Sequence, residues 1–305
     1  MRLARVFHPS SPNPLVALER DGCLYDAAEL DRQFGIPLSQ RVPFDESDFH
    51  LRVFALRGVG LDKLDDHLRG GDRPTEARLS KGNLLWLPPC SPDRALYVQL
   101  DQLPSADAKD ELPRYHIGNA RSLFAHQETV PFPHDEQHPE ADVVIAALIG
   151  EELRSSTLED AEDAIVGYSI LVRWIAPNAE KRAGPTHGRD FATSLGPLLV
   201  TKDEAGAVDA ARVRLRVASD TRDLVVTRAT DWSLPEAIAF ISRHVPLGPG
   251  DVVGGPPIPG AREAIRELGL SFGTTLEVVV ERLGKLASRP VRGPEPPNCR
   301  RPAAR

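Results

Sequence analysis

ADVVIAALIGEEL, residues 141–153, places one acid, Asp142, ahead of seven apolar side chains that run to Gly150. A strand with one face in water alternates polar and apolar residues, so an unbroken run of this kind reads as a strand buried on both faces. YSILVRWIA, 168–176, is a second such run, and its only charge is Arg173. STLEDAEDAIVG, 156–167, lies between them and reads as a helix ending near Gly167. Ser156 or Thr157 caps it, and its acidic first turn suits the positive end of the helix dipole.

Working outward, LGPLLVT (195–201) is a third strand, reached through PNAEKRAGPTHGRD (177–190), which reads as a loop. VDAARVRLRVASDTRDLVVTRAT (208–230) alternates as a two-strand hairpin. SLPEAIAFISRHVPLGPGDVV (233–253) is a capped helix, a Pro/Gly turn and a short strand. LSFGTTLEVVVERLGKLASRPV (270–291) is a long strand pair. Toward the other end, MRLARVF and PLVALERDGCLYDAAEL (14–30) read as a strand and a hairpin turning at Arg20-Asp21-Gly22. LDRQFG (30–35) is a short helix, DFHLRVFALRG (48–58) a short alternating or helical piece, and GLDKLDDHLRGG (60–71) a helix closed by glycine. NLLWLPP (83–89) stops against prolines. The acidic connector SADAKDELPR (105–114) suggests a smaller β-rich N-terminal domain over 1–105, a main domain over 115–288 and a disordered Pro/Arg-rich tail over 289–305. The class expected is α+β, mostly β.

Of the 305 residues, 41% are hydrophobic and 27% charged, which excludes disordered, collagen-like and coiled-coil chains. The net charge of −7 gives no basic face for nucleic acid or an anionic membrane. No window approaches eighteen apolar residues, so no membrane span is expected. Cys23, Cys90 and Cys299 have no paired spacing, which argues against a disulfide framework or zinc site. The first eighteen residues lack a signal-length apolar run, and a reduced cytoplasmic setting is the expectation. GGPPIPG (254–260) lacks the lysine and helix context of a phosphate loop, and there is no dinucleotide fingerprint.

Several phrases then occur in one order: GNA at 118–120, VVIAALIG at 143–150, DAIVGYS at 163–169, GRDFATSLGPLLVT at 188–201, ISRHVPLGPGDVV at 241–253 and LEVVVERLGKL at 276–286. In this they resemble the fumarylacetoacetate hydrolase family over more than half the chain. The resemblance implies a β-roll-like main domain, often dimeric. It also implies chemistry on β-diketo or 2-oxo acids, as carbon–carbon hydrolysis, decarboxylation or hydration at Mg²⁺ or Mn²⁺. The family's Glu-x-Glu pair falls on Asp142 and Val144, and its third acidic ligand on Arg173. One carboxylate is kept, one position is apolar and one has reversed sign, whereas these ions need several oxygen ligands. The family's lysine falls at Arg189, its loop threonine near Pro256, and its catalytic histidine at Leu123.

The expectation is therefore a divergent enzyme without a metal. Arg173, paired with Asp142, takes the ion's place and with Arg189 holds an acidic or β-dicarbonyl small molecule. Tyr168 could offer its hydroxyl to the substrate. His126 with Glu128, or His187, would move the proton. His134 and His138 read as a solvated loop, and Trp174 as core. Dehydration, cyclisation or isomerisation in secondary metabolism is the first reading. A Mg²⁺- or Mn²⁺-dependent hydrolase or decarboxylase and a catalytically silent binding protein are the alternatives. A homodimer is expected from the resemblance.

Overall fold

The computed structural model describes residues 1–9, 11–38, 60–102, 112–226 and 232–295. Among these the strands are β1 (Arg2–Phe7), β2 (Leu15–Arg20), β3 (Cys23–Asp26), β4 (Arg78–Leu79), β5 (Leu85–Leu87) and β6 (Tyr97–Gln102). They continue with β7 (Arg114–Gly118), β8 (Leu123–Phe124), β9 (Thr129–Phe132), β10 (Glu140–Ile149), β11 (Ile165–Ile175) and β12 (Thr193–Thr201). The last are β13 (Arg212–Val217), β14 (Asp220–Val225), β15 (Val252–Gly254), β16 (Leu276–Val280) and β17 (Gly284–Arg292). The described strands form two sheets. The larger runs β4-β3-β2-β1-β12-β11-β10-β15-β6-β7, with β5 beside β1 and β8 beside β12; the smaller runs β14-β13-β16-β17-β9.

The apolar runs do what their composition dictates. Along β10, Val143 and Ile145 enter the core shared with the small sheet, while Val144 and Ala146 enter a second core on the opposite face. Along β11, Ile170, Val172 and Trp174 take the first side and Leu171 the second. Burial on both faces is why these strands do not alternate in sequence. Trp174 is fully buried, its indole N–H donating to Ser194 Oγ at 2.9 Å and its ring edge-to-face with Phe132. The helix Leu158–Ala164 is closed at its start by a reciprocal capping box between Thr157 and Asp160, and Leu234–Ser242 by one between Ser233 and Glu236. At the β2–β3 turn Asp21 and Gly22 both have positive φ, as a two-residue hairpin requires.

Several boundaries differ from the sequence reading. β11 begins at Ile165, so the preceding helix stops three residues early. PNAEKRAGPTHGRD is two short helices, Pro177–Ala183 and Pro185–Arg189, each opened by a proline in its first turn. Ala261–Glu267 is a helix that the sequence reading passed over. The separation at about residue 105 is not a break in the sheet: β1 pairs with β12, and β6 pairs with β7 across the acidic connector. β17 carries ordered chain through Arg292, beyond the tail boundary at 289. DFHLRVFALRG, Cys299 and residues 296–305 lie outside the described residues.

Candidate active site

Register builds the site. Asp142 on β10 stands directly opposite Arg173 on β11, and alternation puts both on the face that carries Val144 and Leu171. Both are buried, at 2% and 1% exposure. Arg173 Nη2 donates to Asp142 Oδ2 at 2.8 Å, and Nη1 donates to Asp101 Oδ1 at 2.7 Å. Asp142 is gripped a second time: Arg262, on the helix Ala261–Glu267, gives it a bidentate pair from Nε (2.8 Å) and Nη2 (2.7 Å). Arg189 Nη1 lies 3.6 Å from Asp101 Oδ1, and its Nη2 donates to Glu180 Oε1 at 2.6 Å.

Asp101 is the hinge of the cluster. Its Oδ1 serves Arg173, and its Oδ2 meets His116 Nδ1 at 2.7 Å. His116 stands opposite Gln99 in the β6–β7 pairing, and its Nε2 faces Asp190 Oδ1 at 3.3 Å. The signs thus alternate along Arg262, Asp142, Arg173, Asp101, His116 and Asp190. Two close approaches fix the frame. A Cβ on Gly118 would stand 2.5 Å from the Tyr97 ring, and one on Gly188 would stand 2.8 Å from the Glu180 Cα. Only glycine lets β7 lie against Tyr97 and the two short helices bring Arg189 to Asp101 and Asp190 to His116.

Protonation follows from these partners. Burial would raise the Asp142 carboxyl, but the Arg262 hydrogen bonds and the Arg173 charge outweigh it and hold it below the usual range. Burial likewise opposes, and His116 and Arg173 reverse, the shift of Asp101, which is also lowered. Hydrogen bonds to Asp101 and Asp190 push His116 up to about 9, so it is an imidazolium at neutral pH. Burial raises the Tyr97 phenol, whose O–H donates to Gln99 Oε1 at 2.7 Å.

Of the residues singled out from sequence, Asp142, Arg173 and Arg189 come together. Arg173 is not an outward-facing arginine. His126, Glu128, His187 and Tyr168 do not join this network. His126 Nδ1 accepts the Ala287 N–H of β17 at 3.0 Å, and its ring packs edge-on against Trp86. Glu128 is exposed and closes a turn by accepting the Ala125 N–H. His187 is exposed on its short helix. Tyr168 packs against the cores on the other side of the sheet and beside the helix Leu158–Ala164. Sequence reasoning missed Asp101, His116, Asp190, Glu180 and Arg262. A signal existed for two of them. Tyr97, Gln99 and Asp101 alternate along one face of β6, and Ala261, Ala264, Ile265 and Leu268 have helical spacing that ends at Gly269.

The pH dependence of folding tests the placement of His126. Burial, then the Lys285 charge, lower His126 to about 4. An unfolded histidine takes its proton near 6.5, so acid favours the unfolded chain. The stabilisation is complete above about pH 6.5 and is lost progressively as pH falls to about 4, amounting to roughly 3 kcal/mol. Denaturant unfolding at pH 7 and pH 4 should therefore show a steeper acid loss in the wild type than in His126→Gln; equal losses would refute this placement.

A divalent ion does not fit the donor set. Both Asp142 oxygens already accept guanidinium N–H groups, Val144 offers no donor and Arg173 is a cation. Among the described residues no group of three or more His, Cys, Asp or Glu side chains is placed to hold a metal ion. No helix among them is long and apolar enough to cross a membrane.

The fold has counterparts among known proteins. Residues 89–291 match the model of the fumarylacetoacetate (FAA) hydrolase C-terminal domain. A 2,4-didehydro-3-deoxy-L-rhamnonate hydrolase from a Sphingomonas species is 26% identical over 53% of this chain, which spans 59% of that protein. Oxaloacetate tautomerase fahd2 of Xenopus laevis is 25% identical over 94% of this chain and 89% of its own length. The crystal structure of a maleylpyruvate hydrolase from a Sphingobium species, in complex with manganese(II) ion and pyruvate, superposes with a TM-score of 0.69 at 18% identity. It covers 96% of this chain and all of that one, and it shows the shared fold. With the α+β, mostly β architecture in place and the domain match spanning well over half its length, the chain belongs to the fumarylacetoacetate hydrolase family.

Proposed function

We propose that this chain is an enzyme acting on a small oxo-acid anion, in which the Arg173 guanidinium does the electrostatic work that a divalent ion does in metal-dependent members. The observation that carries this reading is a donor without a partner: Arg173 Nε is buried and meets no hydrogen-bond acceptor among the described residues, although both Nη nitrogens are anchored on carboxylates. Arg189, whose Nη1 approaches the same Asp101 oxygen, also has a buried Nε that meets no acceptor among the described residues. A buried charged donor left unmet is costly, and an anionic oxygen is the natural acceptor. Two such donors beside one carboxylate suit the carboxylate and the adjacent ketone oxygen of a 2-oxo acid.

A fixed guanidinium at the ketone oxygen stabilises the negative charge that develops when a proton leaves the neighbouring carbon. The chemistry supported is therefore enolisation or its reverse, an isomerase-type proton transfer. The tautomerase and hydrolases among the relatives agree with the substrate class. The test is thermal unfolding with pyruvate and oxaloacetate, with and without a chelator. Stabilisation that survives EDTA is expected. Stabilisation that requires Mg²⁺ or Mn²⁺ would restore the metal-dependent hydrolase or decarboxylase reading, and no response to any oxo acid would leave a catalytically silent binding protein.

A further inference from the structure

We propose that His116 is the proton-carrying residue of this site, delivering a proton to the carbon of an enolic substrate held at Arg173. The assignment rests on the oxo-acid reading above and deepens it.

Its basis is the way Asp101 is shared. The two oxygens of one carboxylate hold the guanidinium and the imidazole, each at 2.7 Å, so the charge-stabilising group and the ring have a fixed relative position. A small molecule that meets Arg173 would therefore stand against the same carboxylate that holds His116. Asp101 engages Nδ1 and so fixes the direction of Nε2, the arrangement by which a carboxylate orients an acid–base histidine. Nε2 is the less committed nitrogen: its partner, Asp190 Oδ1, stands at 3.3 Å, a slack contact that a substrate atom can replace. The side chain is 28% exposed, unlike the 2% of Arg173, so it is open to a ligand and to exchange with solvent. The charged groups around it are Asp101 from β6, Asp190 from the end of the short helix Pro185–Arg189, and Arg173 and Arg189 beyond Asp101. The two carboxylates keep the ring charged at neutral pH, which makes it an acid at rest.

The step balances without a co-reactant. The Nε2–H bond breaks as a C–H bond forms at the enol carbon, and the C=C electrons supply that bond. The enol O–H electrons close the ketone, and the hydroxyl proton returns to the imidazole through Asp190 or water. Enol is converted to keto form and the enzyme is regenerated; the reverse direction removes the same carbon proton.

The test uses the full chain with oxaloacetate as the probe. Ketonisation of freshly dissolved enol-oxaloacetate is followed by loss of enol absorbance, and binding by thermal shift. His116→Gln keeps a donor toward Asp101 but cannot carry a proton. It should lower the rate at least 100-fold, the lower bound for losing a positioned acid–base group, while oxaloacetate affinity stays within about threefold. His116→Ala should recover part of its lost rate on addition of imidazole, a readout that a purely structural role would not move. A His116→Gln rate within fivefold of wild type, or an alanine variant deaf to imidazole, would overturn the assignment while leaving the oxo-acid reading standing. A wild type that neither binds nor turns over oxaloacetate would overturn both.

Discussion

Arg173→Met is expected to abolish oxo-acid binding and to cost about 3 kcal/mol of stability, and Arg173→Ala about 5 kcal/mol. The two numbers separate two roles. Arg173 is among the largest fully buried side chains, so truncation to alanine leaves a cavity as well as an unmet charge. Methionine has nearly the same length and fills most of that volume; what it cannot do is bridge Asp101 and Asp142. The residual cost is then the price of leaving buried carboxylates short of a partner. It falls at the low end because Asp142 keeps Arg262, and Asp101 keeps His116 and Arg189. Removing one partner of a buried pair is damaging even where replacing both by apolar groups is nearly neutral. Denaturant unfolding of the two variants, with oxaloacetate titrated by thermal shift, measures both effects. If Arg173→Met still binds oxaloacetate with wild-type affinity, the guanidinium is structural and the proposed function falls.

The ease of reading the sheet and the difficulty of reading the site have one cause. Val143 to Ile149 state their environment in composition alone, because strands buried on both faces have no other way to satisfy water exclusion. Arg173 was legible for the complementary reason: a charge in such a run needs a partner, and the partner lies directly across the strand pair at Asp142. The remaining members reach the cluster by tertiary routes that no local pattern records. Arg262 comes from a helix 120 residues beyond Asp142, and His116 comes from an edge strand after the acidic connector. His126 misled for the same reason. A histidine beside a glutamate resembles an acid–base pair in one dimension, but the chain turns that ring onto β17, where burial suppresses its proton. The two short helices over 177–189 were hidden by their Gly and Pro content, which marks loops and helix starts alike.

The sharpest consequence of the proposal that Arg173 stands where the family has an acidic ligand is that the exchange should be reversible. A chain carrying Val144→Glu together with Arg173→Asp is expected to bind Mn²⁺ far more tightly than the wild type does. Asp142 and Val144 are two residues apart on one strand and share a face, while Arg173 is the cross-strand partner of Asp142. Three carboxylates would then converge on one patch, the oxygen-rich donor set that Mg²⁺ and Mn²⁺ select. Without the ion, these changes add two negative charges to a dry region and remove one positive charge, leaving Arg262 as the direct counter-cation on Asp142. The metal-free variant should therefore be destabilised relative to the wild type. With Mn²⁺ in thousandfold excess over its dissociation constant, mass action returns about 4 kcal/mol. Unfolding with and without Mn²⁺ reads this directly: a large metal-dependent stabilisation in the variant beside none in the wild type means that the charge at 173 decides which cation the fold uses. A variant indifferent to Mn²⁺ would mean that Arg262 or the packing around Leu171 forbids the cage, and that restoring acids at these positions is not enough to hold the ion. A wild type stabilised by Mn²⁺ to the same extent would mean that Arg173 never took the ion's place.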